Sequence, residues 1–307
     1  MMVRTRAASW NSVQVERAFR DAGSTVRRRD RLRLLIDNKV WFEVRSPDTT
    51  PAAVDVCRDK GLTVGALGRA GVPFPEALRV VPRDARQAAR RLGYPVCVKP
   101  AIGSQGRAVT TAIDSDPLLD WAVDQASRKG REPVLVERSV EGTHWRVLVF
   151  GWAVSSVECR PWLLVGDGRT PIDKLVADEN RRRRDAYTRP FNIKLDDTTL
   201  RVLAEQHLHP TVILPRGETA KVAWSLNARQ GAITFEHGPD APARVRETAQ
   251  AAVAAIPGLA HAAVDLIDDG ATSWVVDVNS NPGLGAHLHP YEGPAQPVLD
   301  ALVATHR

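Results

Sequence analysis

The sequence predicts an α+β fold with more than one subdomain, and three observations carry that expectation. Between residues 85 and 137 the order is helix, strand, glycine-bearing loop, helix, strand, which suits a compact α+β unit. Near the end a helical stretch is followed by two apolar, strand-like runs at 262–267 and 273–278. The first 75 residues hold too few apolar side chains for a full domain and read as a small N-terminal one. With 307 residues, 43% of them apolar, the chain can bury a substantial core, so disorder is not the default.

Taken in order, residues 13–22 read as a helix and 25–35 and 40–44 as strands, and Pro47 and Pro51 break the run. Residues 59–70 form the next helix. Gly71-Val72-Pro73-Phe74-Pro75 then enforces an extended turn, which places the first domain at 1–75. The second, 76–137, contains a helix at 85–91, a strand at 95–100, the loop 102–108, a helix at 118–127 and a strand at 133–137. The third, 138–307, opens with strands at 146–150 and 153–159 and the loop Gly166-Asp167-Gly168, and a helix runs from 172 into four arginines, Arg181 to Arg184. A loop-rich region to Asn227, a helix at 241–255, the two late strands and the loop 279–293 complete it, with no internal repeat.

Composition narrows the function classes. The richest apolar stretch, 249–267, is mostly alanine and contains Pro257 and His261, so it reads as a helix running into a buried strand and no membrane span is expected. The first twenty residues carry Arg4 and Arg6 and no secretory apolar region. Cys57, Cys97 and Cys159 are odd in number and match no zinc or redox spacing; a reduced, cytoplasmic compartment follows as the expectation. The net charge of +6 favours acidic partners such as nucleotide phosphates, a carboxylate-rich substrate or nucleic acid. Four consecutive arginines on a helix are spread around its circumference, so a nucleic-acid surface is disfavoured against a solvated helix.

Four groups of residues bear on chemistry. In YPVCVKPAIGSQGR, a buried strand delivers Lys99 to a loop holding Gly103, Ser104 and Gly106, a pattern that meets phosphate oxygens but reads equally as a surface lysine beside a turn. Asp265 in AVDLI and Asp277 with Asn279 in VVDVN sit on neighbouring strands; residues two apart share a side, so their oxygens can converge on Mg²⁺. A carboxylate flanked by apolar neighbours needs a partner, which weakens the alternative of a merely solvated strand end. The backbone of Val134, Leu135, Val136 and Glu137 offers an edge for adenine, with Arg146 and Arg160 as fixed positive charges for phosphate or carboxylate. His287 and His289 in the last loop read as substrate contacts or loop packing, since no third zinc ligand stands at a recognised spacing.

Together these pieces resemble the ATP-grasp family, most closely the ATP-grasp part of cyanophycin synthetases and glutathione-synthetase-like ligases. The residues that carry the resemblance are DKGLTVGALGRAGVPFP from Asp59, YPVCVKPAIGSQGR from Tyr94, VLVERSVEGTHWRVLVFG from Val134, ECRPWLLVGDGRTPIDKLV from Glu158, and VDLI with VVDVNSNPGLGAHLHPYEG at the end. The resemblance implies two α+β subdomains sandwiching ATP behind a small N-terminal domain, with 76–137 as the central, lid-bearing subdomain and 138–307 as the C-terminal one. It implies an ADP-forming, ATP- and Mg²⁺-dependent ligase that joins a small carboxylate to an amine through an acyl phosphate. Lys99 and Arg160 would be catalytic; Lys99, Gly103, Ser104, Gly106, Val134, Leu135, Val136, Glu137 and His144 would bind ATP. Asp265, Asp277 and Asn279 would hold Mg²⁺, and Arg146, Arg160, Arg229, Asn281, His287 and His289 would face the substrates.

Three departures are visible. His144 stands where relatives carry an acidic ribose ligand, Asp277 replaces a glutamate, and Asn227-Ala228-Arg229-Gln230-Gly231 shortens a substrate loop. The chain also stops soon after these blocks, so the cyanophycin polymer is not the expected product. Many ATP-grasp ligases are dimeric, and a homodimer is the corresponding expectation. A nucleotide-binding module that has lost ligation is the rival reading.

Overall fold

The computed structural model describes residues 8–103, 107–186, 192–223 and 232–306. Helix α1 (Trp10–Asp21) starts at Ser9, whose hydroxyl accepts from the Ser12 N–H, and leads into β1 (Val26–Arg28), β2 (Arg33–Ile36) and β3 (Lys39–Phe42). The single strand expected over 25–35 is therefore two strands. Asp30 caps the reversal by accepting from the N–H groups of Leu32 and Arg33. Asp37 and Asn38, both at positive φ, make the two-residue turn between β2 and β3. Helices α2 (Pro51–Arg58) and α3 (Lys60–Arg69) are capped by Thr50 and Asp59.

The middle of the chain forms β4 (Ala77–Val80), α4 (Ala85–Leu92), β5 (Val96–Pro100), β6 (Thr110–Ile113), α5 (Asp116–Ala126) and β7 (Val134–Arg138). It continues with β8 (Thr143–Phe150), β9 (Trp152–Arg160), β10 (Leu163–Val165), α6 (Ile172–Ala186), α7 (Asp197–Glu205) and β11 (Thr219–Lys221). Helix α7 lies in the stretch expected to be loop: Asp196 caps it through the Thr199 N–H, and its buried Val202 and Leu203 outweigh a locally polar start. The last part holds β12 (Ile233–Glu236), α8 (Ala243–Ala254), β13 (His261–Asp268), β14 (Ser273–Asn279), α9 (Gly285–Leu288) and α10 (Val298–Thr305). The loop expected over 279–293 thus contains one helical turn, α9.

Two compact units result. One joins Met1–Phe74, Val140–Glu158 and Phe235–Arg307; the other joins Pro75–Ser139 and Cys159–Thr234. The first is organised by a five-stranded sheet in the order β12-β9-β8-β13-β14. Strict alternation sends Trp145, Val147, Val149, Ala262, Val264 and Leu266 to one face, where they pack with Val245, Ala249 and Val253 of α8 and Leu67 of α3. Leu148, Phe150 and Ala263 point the other way and are covered by Val15 and Phe19 of α1, Leu34 of β2, Trp41 of β3 and Leu302 of α10. The N-terminal segment is thus packing material for the apolar part of that second face.

The second unit contains an antiparallel sheet in the order β4-β7-β5-β6, on which Ala88, Ala89 and Leu92 of α4 and Leu119, Ala122 and Val123 of α5 pack against Val96, Val98, Val134 and Val136. Its remainder is a smaller core of Leu164, Ile172, Val176, Leu203 and Ala220 around the β10–β11 ribbon. The arginine run lies at the end of α6. Arg181 pairs with Asp178 at 3.1 Å, and Arg182 and Arg183 both pair with Glu179 at 2.7 Å. Arg183 is buried, 5.7 Å from the Trp162 ring centroid. Three of the four arginines are therefore ion-paired within the helix, sharing two carboxylates. Among the described residues no helix is long and apolar enough to cross a membrane.

One polar chain crosses the apolar covering of the first unit. His261, fully buried at the start of β13, lies with Nδ1 3.2 Å from Nε2 of His306, whose Nδ1 is 3.0 Å from an Asp48 carboxylate oxygen. Burial, reinforced by the neighbouring His306, pushes the His261 imidazole down to about 3. A histidine depressed in the folded state binds its proton only on unfolding, so the stability it contributes is present above its ordinary value near 6.5 and drains away as pH falls toward 3. Denaturant titrations between pH 6 and pH 4 are expected to show stability falling by about 1.4 kcal/mol per pH unit through this residue alone. His261→Gln should flatten that slope.

Candidate functional site

The polar half of the second sheet face is built by strand register. Asp265 of β13 stands directly opposite Arg146 of β8 on one side and Asp277 of β14 on the other, and Ala263 stands opposite Asn279. A bulge between Asp265 and Leu266, where Val276 is the extra residue, makes this possible. Val275 and Asp277 are two apart and would share a face in a regular strand. With the bulge, Val275 is buried in the apolar core while Asp277 turns to Asp265.

Two cations meet these carboxylates. Arg146 Nη1 donates to both oxygens of Asp265 at 2.8 and 3.0 Å, and Lys60, from the first turn of α3, donates to Asp277 Oδ1 at 2.6 Å. Lys60 is 7% exposed, so its charge is committed to this pair. The Asp265 carboxyl is raised above its ordinary range, first by burial; Asp277 adds to the rise and Arg146 opposes it. Asp265 and Asp277 offer the carboxylate oxygens a hard divalent cation takes, and like-charge crowding between them is what such a cation relieves; the nearby Asn279 amide oxygen also accepts from the Asn281 N–H at 3.0 Å, leaving it one further lone pair. The residues present fit Mg²⁺. No cluster of three histidine, cysteine or acidic side chains arranged for a metal exists among the described residues.

The loop after β14 divides its predicted residues. The Asn281 amide oxygen accepts from the N–H groups of Val44 and Arg45, both at 3.2 Å, and its nitrogen donates to Glu43 at 2.8 Å, so this side chain ties the loop to the segment after β3. His289 is exposed, with its ring centroid 5.6 Å from that of Trp10. His287 is fully buried, with Nδ1 2.6 Å from the Ser155 hydroxyl, which also bonds Glu236. One histidine inward and one outward do not make a zinc pair. His144, opposite Ile267 at the far end of β8, is pushed down to about 4 by burial and is therefore a neutral ring.

In the second unit, Lys99 leaves β5 on the face turned away from the α4–α5 core and its ammonium lies 2.6 Å from Glu137 Oε2. Both side chains are almost fully buried. Over Val134, Leu135 and Val136, where an adenine edge is expected, β7 is an inner strand, paired with β4 along one side and β5 along the other. Their backbone groups are spent on the sheet, and Val134 and Val136 point into the core. Gly103 lies at the start of its loop, packed near Pro100. Arg160 closes β9 and is exposed. Ser104, Gly106 and Arg229 lie outside the described residues.

Sequence reasoning missed Lys60 of this site and two buried polar residues elsewhere in the first unit, Ser155 and Glu236. Lys60 was hidden in a helix-capping context, Asp59-Lys60-Gly61, and only the tertiary pairing with Asp277 reveals it. Ser155 and Glu236 lie on β9 and β12 with no motif around them, and are linked by a side-chain hydrogen bond.

Residues 59–148 match the family model described as the carbamoyl-phosphate synthase L chain, ATP binding domain. The chain is 31% identical over 267 residues to cyanophycin synthetase of Geminocystis herdmanii, which covers 81% of this chain and 30% of that protein. It is 32% identical over 100 residues to the C-terminal section of the carbamoyl phosphate synthase large chain of Methanopyrus kandleri, 32% of this chain and 18% of that one. The chain thus spans about a third or less of the curated relatives it matches. Among solved structures it is similar to a bifunctional glutathione synthetase from Pasteurella multocida, with a TM-score of 0.61 at 20% identity over 95% of this chain and 43% of the other. It is also similar to a D-alanine–D-alanine ligase from Bacillus anthracis, with a TM-score of 0.52 at 16% identity over 84% and 68%. At those identities the structural likeness shows the fold, which is ATP-grasp.

The geometry of Asn281 separates a tether from a substrate ligand. Asn281→Ala is expected to lower the urea midpoint by an amount equivalent to about 2 to 3 kcal/mol, because it strands two backbone N–H groups and a carboxylate. A ligand residue would instead leave the midpoint in place.

Proposed function

Because the chain belongs to the ATP-grasp superfamily, we propose that it is an ATP-dependent carboxylate–amine ligase acting on an amino acid or small peptide. The observation that carries this reading is the row Arg146, Asp265, Asp277 across three neighbouring strands, with Asn279 beside it and Lys60 against it. Such a row holds anionic oxygens and cations within one short span of sheet, as phosphate chemistry requires.

The reaction follows from the weakness of a carboxylate as an electrophile. A carboxylate oxygen attacks the γ-phosphorus of ATP, the bond to the bridging oxygen breaks, and ADP leaves. The amine nitrogen then attacks the carbonyl carbon of the acyl phosphate, inorganic phosphate departs with the C–O electron pair, and the nitrogen loses a proton. In this reading Asp265, Asp277 and Asn279 hold Mg²⁺, which when bound neutralises phosphate charge and helps align the transferring group. Lys99, oriented by Glu137, contributes a fixed ammonium for phosphate oxygens, and Arg160 stabilises charge on the transferring group. Arg146 bridges between Asp265 and an incoming substrate carboxylate. His144, uncharged, cannot act as the acidic ribose ligand of relatives, so a nucleotide sugar would meet a neutral ring there. The small-molecule partners expected are therefore a carboxylate and an amine.

Incubation with ATP, Mg²⁺ and pooled amino acids is expected to release ADP and phosphate in an amine-dependent manner. Lys99→Ala and Asp277→Ala should each reduce this at least about a hundredfold. ATP binding without turnover across every pool would favour the non-catalytic module, and absence of ATP binding would overturn the ligase.

A further inference from the structure

Next to the polar row, in the same unit, stands a cation with no acid to answer it. Residues 42–45 form a tight reversal in which the Phe42 N–H donates to the Arg45 carbonyl at 3.1 Å and the Arg45 N–H to the Phe42 carbonyl at 3.0 Å, with Glu43 at positive φ between them. The Arg45 guanidinium lies over the Phe42 ring, 4.8 Å from its centroid, and the residue is partly buried, with surface left open to solvent. A ring face steadies a cation without neutralising it. Among the described residues the Arg45 side chain has no ion pair and no hydrogen bond. Burial pushes its guanidinium below the ordinary value, and since arginine stays charged in a protein, withdrawing it from water without a counter-ion is a standing cost.

The two acids nearest to it in sequence are held elsewhere. Glu43 accepts from Asn281 Nδ2 at 2.8 Å, and Asp48 lies 3.0 Å from His306 Nδ1 and 3.9 Å from Lys39. The same Asn281 side chain accepts the Arg45 N–H through its oxygen at 3.2 Å, and the Asn281 N–H donates to Asn279 Oδ1 at 3.0 Å. One asparagine thus places the Arg45 backbone two hydrogen bonds from Asn279 and at the same time occupies the neighbouring carboxylate. The row itself spares no such charge, because Arg146 is on Asp265 and Lys60 is on Asp277.

We propose that Arg45 is a specificity-determining residue that receives the carboxylate which an amino-acid or peptide amine carries besides its reacting nitrogen. This rests on the ligase reading above. The chemistry selects the class. Such an amine brings an anionic group that takes no part in the reaction, and near Asp265 and Asp277 that group would be repelled. A guanidinium offers it two parallel N–H donors and the missing counter-charge. An amine with a neutral end would gain nothing from the contact, so the consequence is a preference among acceptors and not a faster chemical step.

The test uses the full chain with ATP, Mg²⁺ and pooled amino acids, to which an equal pool of the corresponding carboxamides is added, so that acceptors with and without a carboxylate compete for one acyl phosphate. Mass spectrometry reads the ratio of free-acid to carboxamide products, and hydroxylamine in a parallel reaction traps the acyl phosphate as hydroxamate without needing the amine subsite. The unsubstituted protein should favour free-acid acceptors by about tenfold or more. Arg45→Met should lower that ratio about tenfold, with the loss in KM for the free-acid acceptor, and Arg45→Lys, which keeps the charge but not the fork, should recover part of it. A ratio in Arg45→Met equal to that of the unsubstituted protein, with hydroxamate still formed, would overturn the carboxylate contact and leave the ligase intact. Both products falling together would reduce Arg45 to a structural role, and a raised KM for ATP at constant ratio would assign it to the nucleotide; either result overturns the proposal. Absence of hydroxamate from the unsubstituted protein would instead remove the ligase reading, and the part of Arg45 with it.

Discussion

The antiparallel register of β8, β13 and β14 is the constraint on which the rest of the first unit depends. It brings one arginine and two aspartates abreast and, through the bulge at Val276, does so without exposing Val275. Every neighbouring feature answers to that arrangement. Lys60 is delivered by the first turn of α3 because Asp277 would otherwise face Asp265 with too little positive charge nearby. The N-terminal segment covers the apolar half of the same face, so the row sits where packing stops and polar chemistry begins. One sheet surface thus serves as core at one end and as reaction platform at the other.

Much of this was legible in the sequence, for reasons that differ by residue. Asp265 and Asp277 were readable because a carboxylate inside an apolar strand violates burial preference and so announces a partner. The place of Lys99 on an apolar strand was readable too. The partner each one takes in the absence of ligand was not readable: Lys60 is 217 residues from Asp277 and Arg146 is 119 from Asp265. The strand order decided the fate of Val134 to Val136. As an isolated apolar run they could offer a backbone edge, but which strand lies inside a sheet is a long-range property.

Secondary structure shows the same division. Helices with buried apolar faces, such as α3 and α8, stand within two residues of their expected limits at each end. The hairpin hidden in residues 25–35 and the helix α7 were obscured by local polarity, and both exist because apolar side chains further away complete them. Nor could continuity along the chain show that 140–158 and 235–307 build one compact unit with the first 74 residues. That follows from the pairing of β8 with β13, more than a hundred residues apart, and from the packing of the N-terminal segment on the resulting sheet.

The ion pairs within the polar row give the platform a temper of its own. With Arg146 on Asp265 and Lys60 on Asp277, its acids are already neutralised before any reactant arrives. Loading then becomes an exchange of partners in place of a first meeting of bare charges. Such an exchange moderates the grip on whatever binds, because each new contact displaces an old one, and the same resident counter-ions stand ready to reclaim the acids as products leave. On the ligase reading proposed above, a platform tuned toward release suits a catalyst that must let go of ADP, phosphate and an amide in every cycle.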